Sequence, residues 1–214
     1  MCFSLAASAT AGTALVAAGT VAVTMAHGRA ERPLALLPLL FGVQQLTEGV
    51  VWWSLDHDDA RLNVASTFAY TLFSHVLWPV LVPLAILCLE VVPWRRRALR
   101  GLLGVGVVVG LYGLSLVVRG PSTSHVVGRS IQYAMPPLSM ITFYLVATCV
   151  AIMLSSSPLL RVMGVAALGL ALVTLWLDLA VFVSVWCFFS AMLTVLVFVY
   201  FWSRRETKPA LQVT

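Results

Sequence analysis

A carboxylate, two carboxamides and an indole share one helical stripe in the stretch Phe41–Trp53, FGVQQLTEGVVWW. Gln44, Glu48 and Trp52 recur at i, i+4 and i+8, and Gln45 flanks them. Glu48 has at least seven uncharged residues on each side. A carboxylate at membrane depth is costly and usually faces a bundle interior or a cavity. The stripe is therefore expected to line an internal polar site. The alternative is that Glu48 only bonds a neighbouring helix and fixes packing.

Other residues could join it. Cys2 would carry a free amine beside its thiol once Met1 is removed, an arrangement that chelates metals or activates a nucleophile. Thiolates suit zinc, copper or iron. An inert Cys2, or a Cys2–Cys187 disulfide in an oxidising compartment, is the competing reading. Cys88 and Cys149 read as buried small hydrophobes. His75 is the histidine that lies well inside an apolar run, and it is either hydrogen-bonded or a ligand. Candidate metal ligands are thus Cys2, Cys187, Glu48 and His75. Candidate catalytic groups are Glu48, Cys2 and Cys187. Tyr70, Arg129, Tyr133 and Trp186 complete the candidate binding set, with Arg129 suited to pairing Glu48 or clamping an anion. Trp53 reads as an interfacial anchor. The run Asp56-His57-Asp58-Asp59 reads as a solvated loop.

Several chemistries are excluded. No C-x-x-C, phosphate-loop, dinucleotide or H-E-x-x-H pattern occurs. The lysine is Lys208 in the tail, so no buried Schiff base is available. A three-histidine zinc site is not available from His27, His57 and His125, which lie in turns or loops.

These residues need helices to hold them. The chain has 214 residues, of which 61% are hydrophobic and only 10% charged, and its mean hydropathy is +0.99. Soluble domains carry about 25% charged residues. The expected fold is an all-α membrane protein, a single bundle of seven transmembrane helices. They fall at about 4–26, 33–55, 64–90, 101–118, 138–154, 162–177 and 180–202, each near the ~20 residues a bilayer needs. A basic tail, 203–214, follows.

Alternate loops then collect ten basic residues on one side and three on the other. The positive-inside rule puts the N-terminus outside and the C-terminus in the cytoplasm. The net charge of +5 is a topology signal, not one for nucleic acid. Glu48, Trp52, Tyr70, His75, Ser184, Trp186 and Cys187 then lie at similar outer depth. So do Cys2 and the loop residues Arg129, Gln132 and Tyr133.

The motifs Met1-Cys2-Phe3-Ser4, Gln44-Gln45-x-x-Glu48-Gly49-x-x-Trp52, Trp78-Pro79-x-x-x-Pro83, Gly128-x-x-Ile131-x-Tyr133 and Ser184-Val185-Trp186-Cys187-Phe188-Phe189 resemble those of an uncharacterised family of small bacterial membrane proteins. The resemblance spans nearly the whole chain. It implies a multi-pass protein of the bacterial inner membrane with about seven helices, and no known activity. That family has histidine at the place of Arg129 and arginine at the place of Gln132. The expected function is binding or sensing of a small ligand or metal ion in an outward-facing site centred on Glu48. An intramembrane enzyme using Glu48 and a Cys2 or Cys187 thiol, a proton-coupled transporter, and a subunit of a larger complex are the competing readings.

Overall fold

The structure, a computed structural model, describes residues 4–120, 122–134, 140–177 and 179–207. Among them run seven apolar helices: α1 Leu5–Met25, α2 Arg32–Asp56, α3 Ala60–Leu89, α4 Pro93–Arg119, α5 Ile141–Met153, α6 Pro158–Leu177 and α7 Phe182–Arg204. Six are long and apolar enough to cross a membrane, and α5 is the short one. The α7 helix is interrupted at Thr194.

Local chemistry sets the helix ends. The Ser4 hydroxyl accepts from Ala7 N–H at 3.3 Å and caps α1. Asp59 accepts from Leu62 N–H at 3.0 Å. That cap starts α3 at Ala60, earlier than apolarity alone suggests, because the cap and not hydropathy decides where the ladder begins. Pro93 opens α4, where its missing N–H and fixed φ suit a first turn. The arginines expected in a loop before about residue 101 therefore sit on the first turns of α4.

Apolar lipid removes most of the hydrophobic drive between helices, so close approach and polar contacts must hold them. The most extensive pairing is α1 on α2. A Cβ on Gly42 would lie 2.7 Å from Val16 N, so α1 backbone occupies the space a side chain would need. Further in, Phe41 stacks on Trp78 with ring centres 3.8 Å apart, which ties α2 to α3 in the main apolar core.

The α3 helix carries one π-helical turn, Leu72–Leu77. Its cause is Pro79, which has no N–H for the carbonyl of His75 four residues back and whose ring crowds it. The ladder slips, and Trp78 N–H donates to Phe73 O. The α4 helix covers the released carbonyl at Gly113, where a Cβ would lie 2.5 Å from His75 O. A second π turn, Val146–Val150, lies in α5. There the Thr148 hydroxyl donates to Tyr144 O at 2.9 Å and competes with the ladder.

The expected polar loop between α4 and α5 contains an antiparallel hairpin, β1 Ser124–Val127 and β2 Ser130–Tyr133. The fold is otherwise all-helical, as expected, and this hairpin is the one sheet among the described residues. Gly128 takes φ +62° at the first position of a two-residue turn, which glycine does without strain. The residues Ile131 and Tyr133 face inward and are buried. The hairpin is pinned to α3 by Asn63. Its Nδ2 donates to Ser124 Oγ at 2.8 Å and to Ser54 Oγ at 3.2 Å, while Ser124 N–H donates to its Oδ1 at 3.1 Å. Thr67 adds a 3.1 Å bond to Ser124 Oγ.

The opposite end is closed by Glu90, between α3 and α4. Its carboxylate accepts from the N–H groups of Val91, Val92 and Ser156, at 3.0, 2.9 and 2.8 Å, and from Ser156 Oγ at 2.7 Å. Burial by itself pushes the Glu90 carboxyl up. The donors of Val92, Ser156 and Val91 outweigh that and hold it below its ordinary value.

Candidate functional site

Glu48 lies on α2 about 12 Å along the axis from Asp56, at 1.5 Å per residue. It is 1% exposed. Two hydroxyls from distant parts of the chain donate to the same oxygen. Ser184 of α7 reaches Glu48 Oε1 at 2.6 Å and Tyr133 of the hairpin reaches it at 3.2 Å. Tyr70 of α3 stacks on Tyr133 with ring centres 4.6 Å apart, and Tyr70 and Gln45 both neighbour the carboxyl. Burial, then the charge of Glu48, push the Tyr133 phenol well above its ordinary value, so Tyr133 serves as a donor. Val51, Trp52, Ile131 and Cys187 pack an apolar collar around the two tyrosines.

Gln44 is oriented from outside the cluster. Trp78 Nε1 donates to Gln44 Oε1 at 2.6 Å. An indole N–H can only donate, so the carboxamide oxygen must face Trp78 and its NH₂ must face the other way. Gln44 and Tyr70 both neighbour the thiol of Cys187. Among the described residues, five buried polar atoms on four side chains here have no hydrogen-bond partner: Gln44 Nε2, both ends of the Gln45 amide, Trp52 Nε1 and Tyr70 OH. The side chains of Gln44, Gln45 and Tyr70 are 0% exposed, so bulk water does not satisfy them.

The structure thus brings Gln44, Gln45, Glu48, Trp52, Tyr70, Tyr133 and Cys187 into one cluster. Other candidates lie elsewhere. Arg129 occupies the exposed turn of the hairpin. His75 bonds Ser74, with Nδ1 2.8 Å from its Oγ. Together with Trp186 it lines a cavity beside the cluster. Trp186 Nε1 donates to Ala167 O at 3.3 Å. Trp53 is 40% exposed and stacks on His57. Cys2 lies outside the described residues. Cys187 is a free thiol. Among the described residues no group of three or more His, Cys, Asp and Glu side chains is placed to hold a metal ion. Of the expected metal set Cys2, Cys187, Glu48 and His75, Cys2 lies outside the described residues, and the other three do not form such a group among the described residues.

Sequence reasoning missed Asn63 and Ser124, which hold the hairpin, and Tyr144, which donates to Ser74 O at 2.8 Å. Their signal is weak: a lone Asn in the first turn of a helix and a lone Tyr in an apolar run. Ser184 is easier to find, because it shares a helical face with Cys187 at i, i+3.

Six span-length helices around a buried carboxyl group, roofed by a hairpin, define a multi-pass helical bundle with an enclosed polar site. The chain belongs to the Family of unknown function (DUF6629), whose model matches residues 1–213. Nothing among curated proteins or solved structures matches it.

Proposed function

We propose that this is an integral protein of the bacterial inner membrane that binds or senses a small polar ligand at an outward-facing site centred on Glu48. The observation that carries the reading is the ring of unpartnered buried polar atoms on Gln44, Gln45, Trp52 and Tyr70 around that carboxyl group. Each such atom costs about 1–3 kcal/mol if nothing satisfies it. Water or a small ligand offering both donors and acceptors would supply the missing bonds. A neutral ligand fits better than an anion, which the carboxylate would repel.

The orientation rests on charge. Glu31, before α2, pairs with Arg204 at the end of α7 at 3.1 Å. The arginine-bearing start of α4 is tied through Glu90 to Ser156, before α6. These are the basic turns that the positive-inside rule puts in the cytoplasm. The hairpin and Glu48 lie toward the other ends of the helices.

The test is a thermal-unfolding screen of the protein in nanodiscs against small neutral amides and polyols, starting with urea, acetamide and glycerol. At least one compound is expected to stabilise the wild type and to lose that effect in Glu48→Gln and Gln45→Leu. If every compound that stabilises the wild type stabilises both variants equally, or if none stabilises it, the reading is wrong.

A further inference from the structure

Beside the Glu48 cluster lies a cavity of about 120 Å³, lined by Ser74 and His75 of α3, Ile141 and Tyr144 of α5, and Phe182, Val183, Trp186 and Cys187 of α7, with Leu179 near its edge. Three aromatic rings form much of its wall. Phe182 stacks on Trp186 with ring centres 5.5 Å apart, and Tyr144 meets Trp186 edge-on at 5.5 Å. Leu179, at the start of the α6–α7 junction, is 53% exposed, so the cavity approaches the surface there.

The polar groups of this cavity have a defined polarity. The single hydroxyl hydrogen of Ser74 goes to Thr71 O at 3.3 Å. Ser74 Oγ then accepts from His75 Nδ1, 2.8 Å away, in the tautomer that carries the ring proton there. With the proton on Nδ1, the hydrogen-bond network assigns His75 Nε2 as an acceptor. His75 lines the cavity and is only 4% exposed. The Tyr144 hydroxyl spends its hydrogen on Ser74 O, so it too can only accept. The two π turns that distort α3 and α5 flank this place, at Leu72–Leu77 and Val146–Val150. Such turns recur at functional sites because they re-aim side chains and loosen the ladder.

We infer that this cavity is a binding site for a small ring compound, phenol-like or indole-like, that carries one O–H or N–H donor. An apolar protein cavity of roughly 150 Å³ accepts benzene; this one is smaller but approaches the surface at Leu179, so a ring fits with its far edge toward that opening. Offset and edge-on contacts with Tyr144, Phe182 and Trp186 suit a planar ring. The donor of the ligand goes to His75 Nε2. The site is distinct from the Glu48 cluster and meets it at Cys187 and Val183, and its polar groups, on Ser74, His75 and Tyr144, are not those around Glu48, so either site can fail without the other.

The experiment uses the full chain in nanodiscs and two probes, 4-fluorophenol and fluorobenzene, followed by ¹⁹F NMR, with empty nanodiscs correcting for lipid partition. The wild type is expected to bind 4-fluorophenol about tenfold more tightly than fluorobenzene, the worth of one buried hydrogen bond. His75→Leu removes the acceptor at similar bulk and should bring that preference to about one. Val183→Phe fills the cavity and should abolish binding of both probes. Wild type binding neither probe beyond lipid partition, or both equally, overturns the inference. So does a preference that survives His75→Leu, or binding that survives Val183→Phe in protein shown by thermal unfolding to be folded.

Discussion

Asn63→Ala is expected to unlatch the hairpin while leaving the helices in place. Three hydrogen bonds are lost, at 2.8, 3.1 and 3.2 Å. Two of the partners are not stranded. Ser124 Oγ keeps Thr67 at 3.1 Å, and Ser54 Oγ keeps Val51 O at 2.7 Å. Only the Ser124 N–H is left without an acceptor. One newly unsatisfied donor near the surface and two net neutral bonds together amount to about 2–3 kcal/mol. At 1.36 kcal/mol per tenfold, the undocked population should rise about 30- to 150-fold. Hydrogen exchange by mass spectrometry in nanodiscs reads this directly in a peptide covering 124–134. Exchange there should accelerate by that factor, and the α6 peptide should be unchanged. Ser54→Ala, which loses one bond of the latch, the 3.2 Å one, besides its own 2.7 Å bond to Val51 O within α2, should move it by less than fivefold, or about 1 kcal/mol. Unchanged hairpin exchange in Asn63→Ala would refute the latch. Equal acceleration of every peptide would show that Asn63 supports the whole bundle instead.

Glu90→Gln should weaken the clasp between the α3–α4 and α5–α6 turns by about 1–2 kcal/mol at neutral pH, measured by thermal unfolding. The sign of its pH dependence follows from a folded pKa held below the unfolded one. The stabilisation is complete above the ordinary carboxylate value and is lost as pH falls through the depressed folded value. The variant should therefore show a flatter acid limb between neutral pH and pH ~3, and an unchanged limb would assign the acid sensitivity to other groups. Gly42→Ala should cost about 1–3 kcal/mol, because the added methyl meets Val16 backbone, which cannot turn aside. A Tm within a degree of wild type would show that α1 shifts freely on α2.

How much was legible in the sequence differs by element. The helical, apolar class is readable from composition and run length, because a bilayer imposes a minimum length on each span. The stripe of Gln44, Glu48 and Trp52 is readable because helical periodicity is local. The lateral meeting of α2, α3, α7 and the hairpin is not. Tyr133 lies 85 residues from Glu48 and Ser184 lies 136 away, and depth in a membrane says nothing about which helices are neighbours. The hairpin was missed because its strands have only four residues each. Yet the alternation of Ile131 and Tyr133 with Gln132, after a glycine turn, is a strand pattern in miniature. His75 shows a subtler limit. Its partner is the adjacent Ser74, and the π turn that aims it arises from Pro79 acting four residues upstream.

The bond from Trp78 to Gln44 has a consequence for selectivity. A carboxamide can usually rotate end for end and greet donor and acceptor alike. Here the indole works as a one-way valve: it holds the oxygen of Gln44 and commits the NH₂ to the interior. The protein thereby sets the grammar of the site from behind, with a residue that need never touch what binds there. A Trp78→Phe chain would keep the stack on Phe41 and release the amide to flip, turning a discriminating position into an indifferent one.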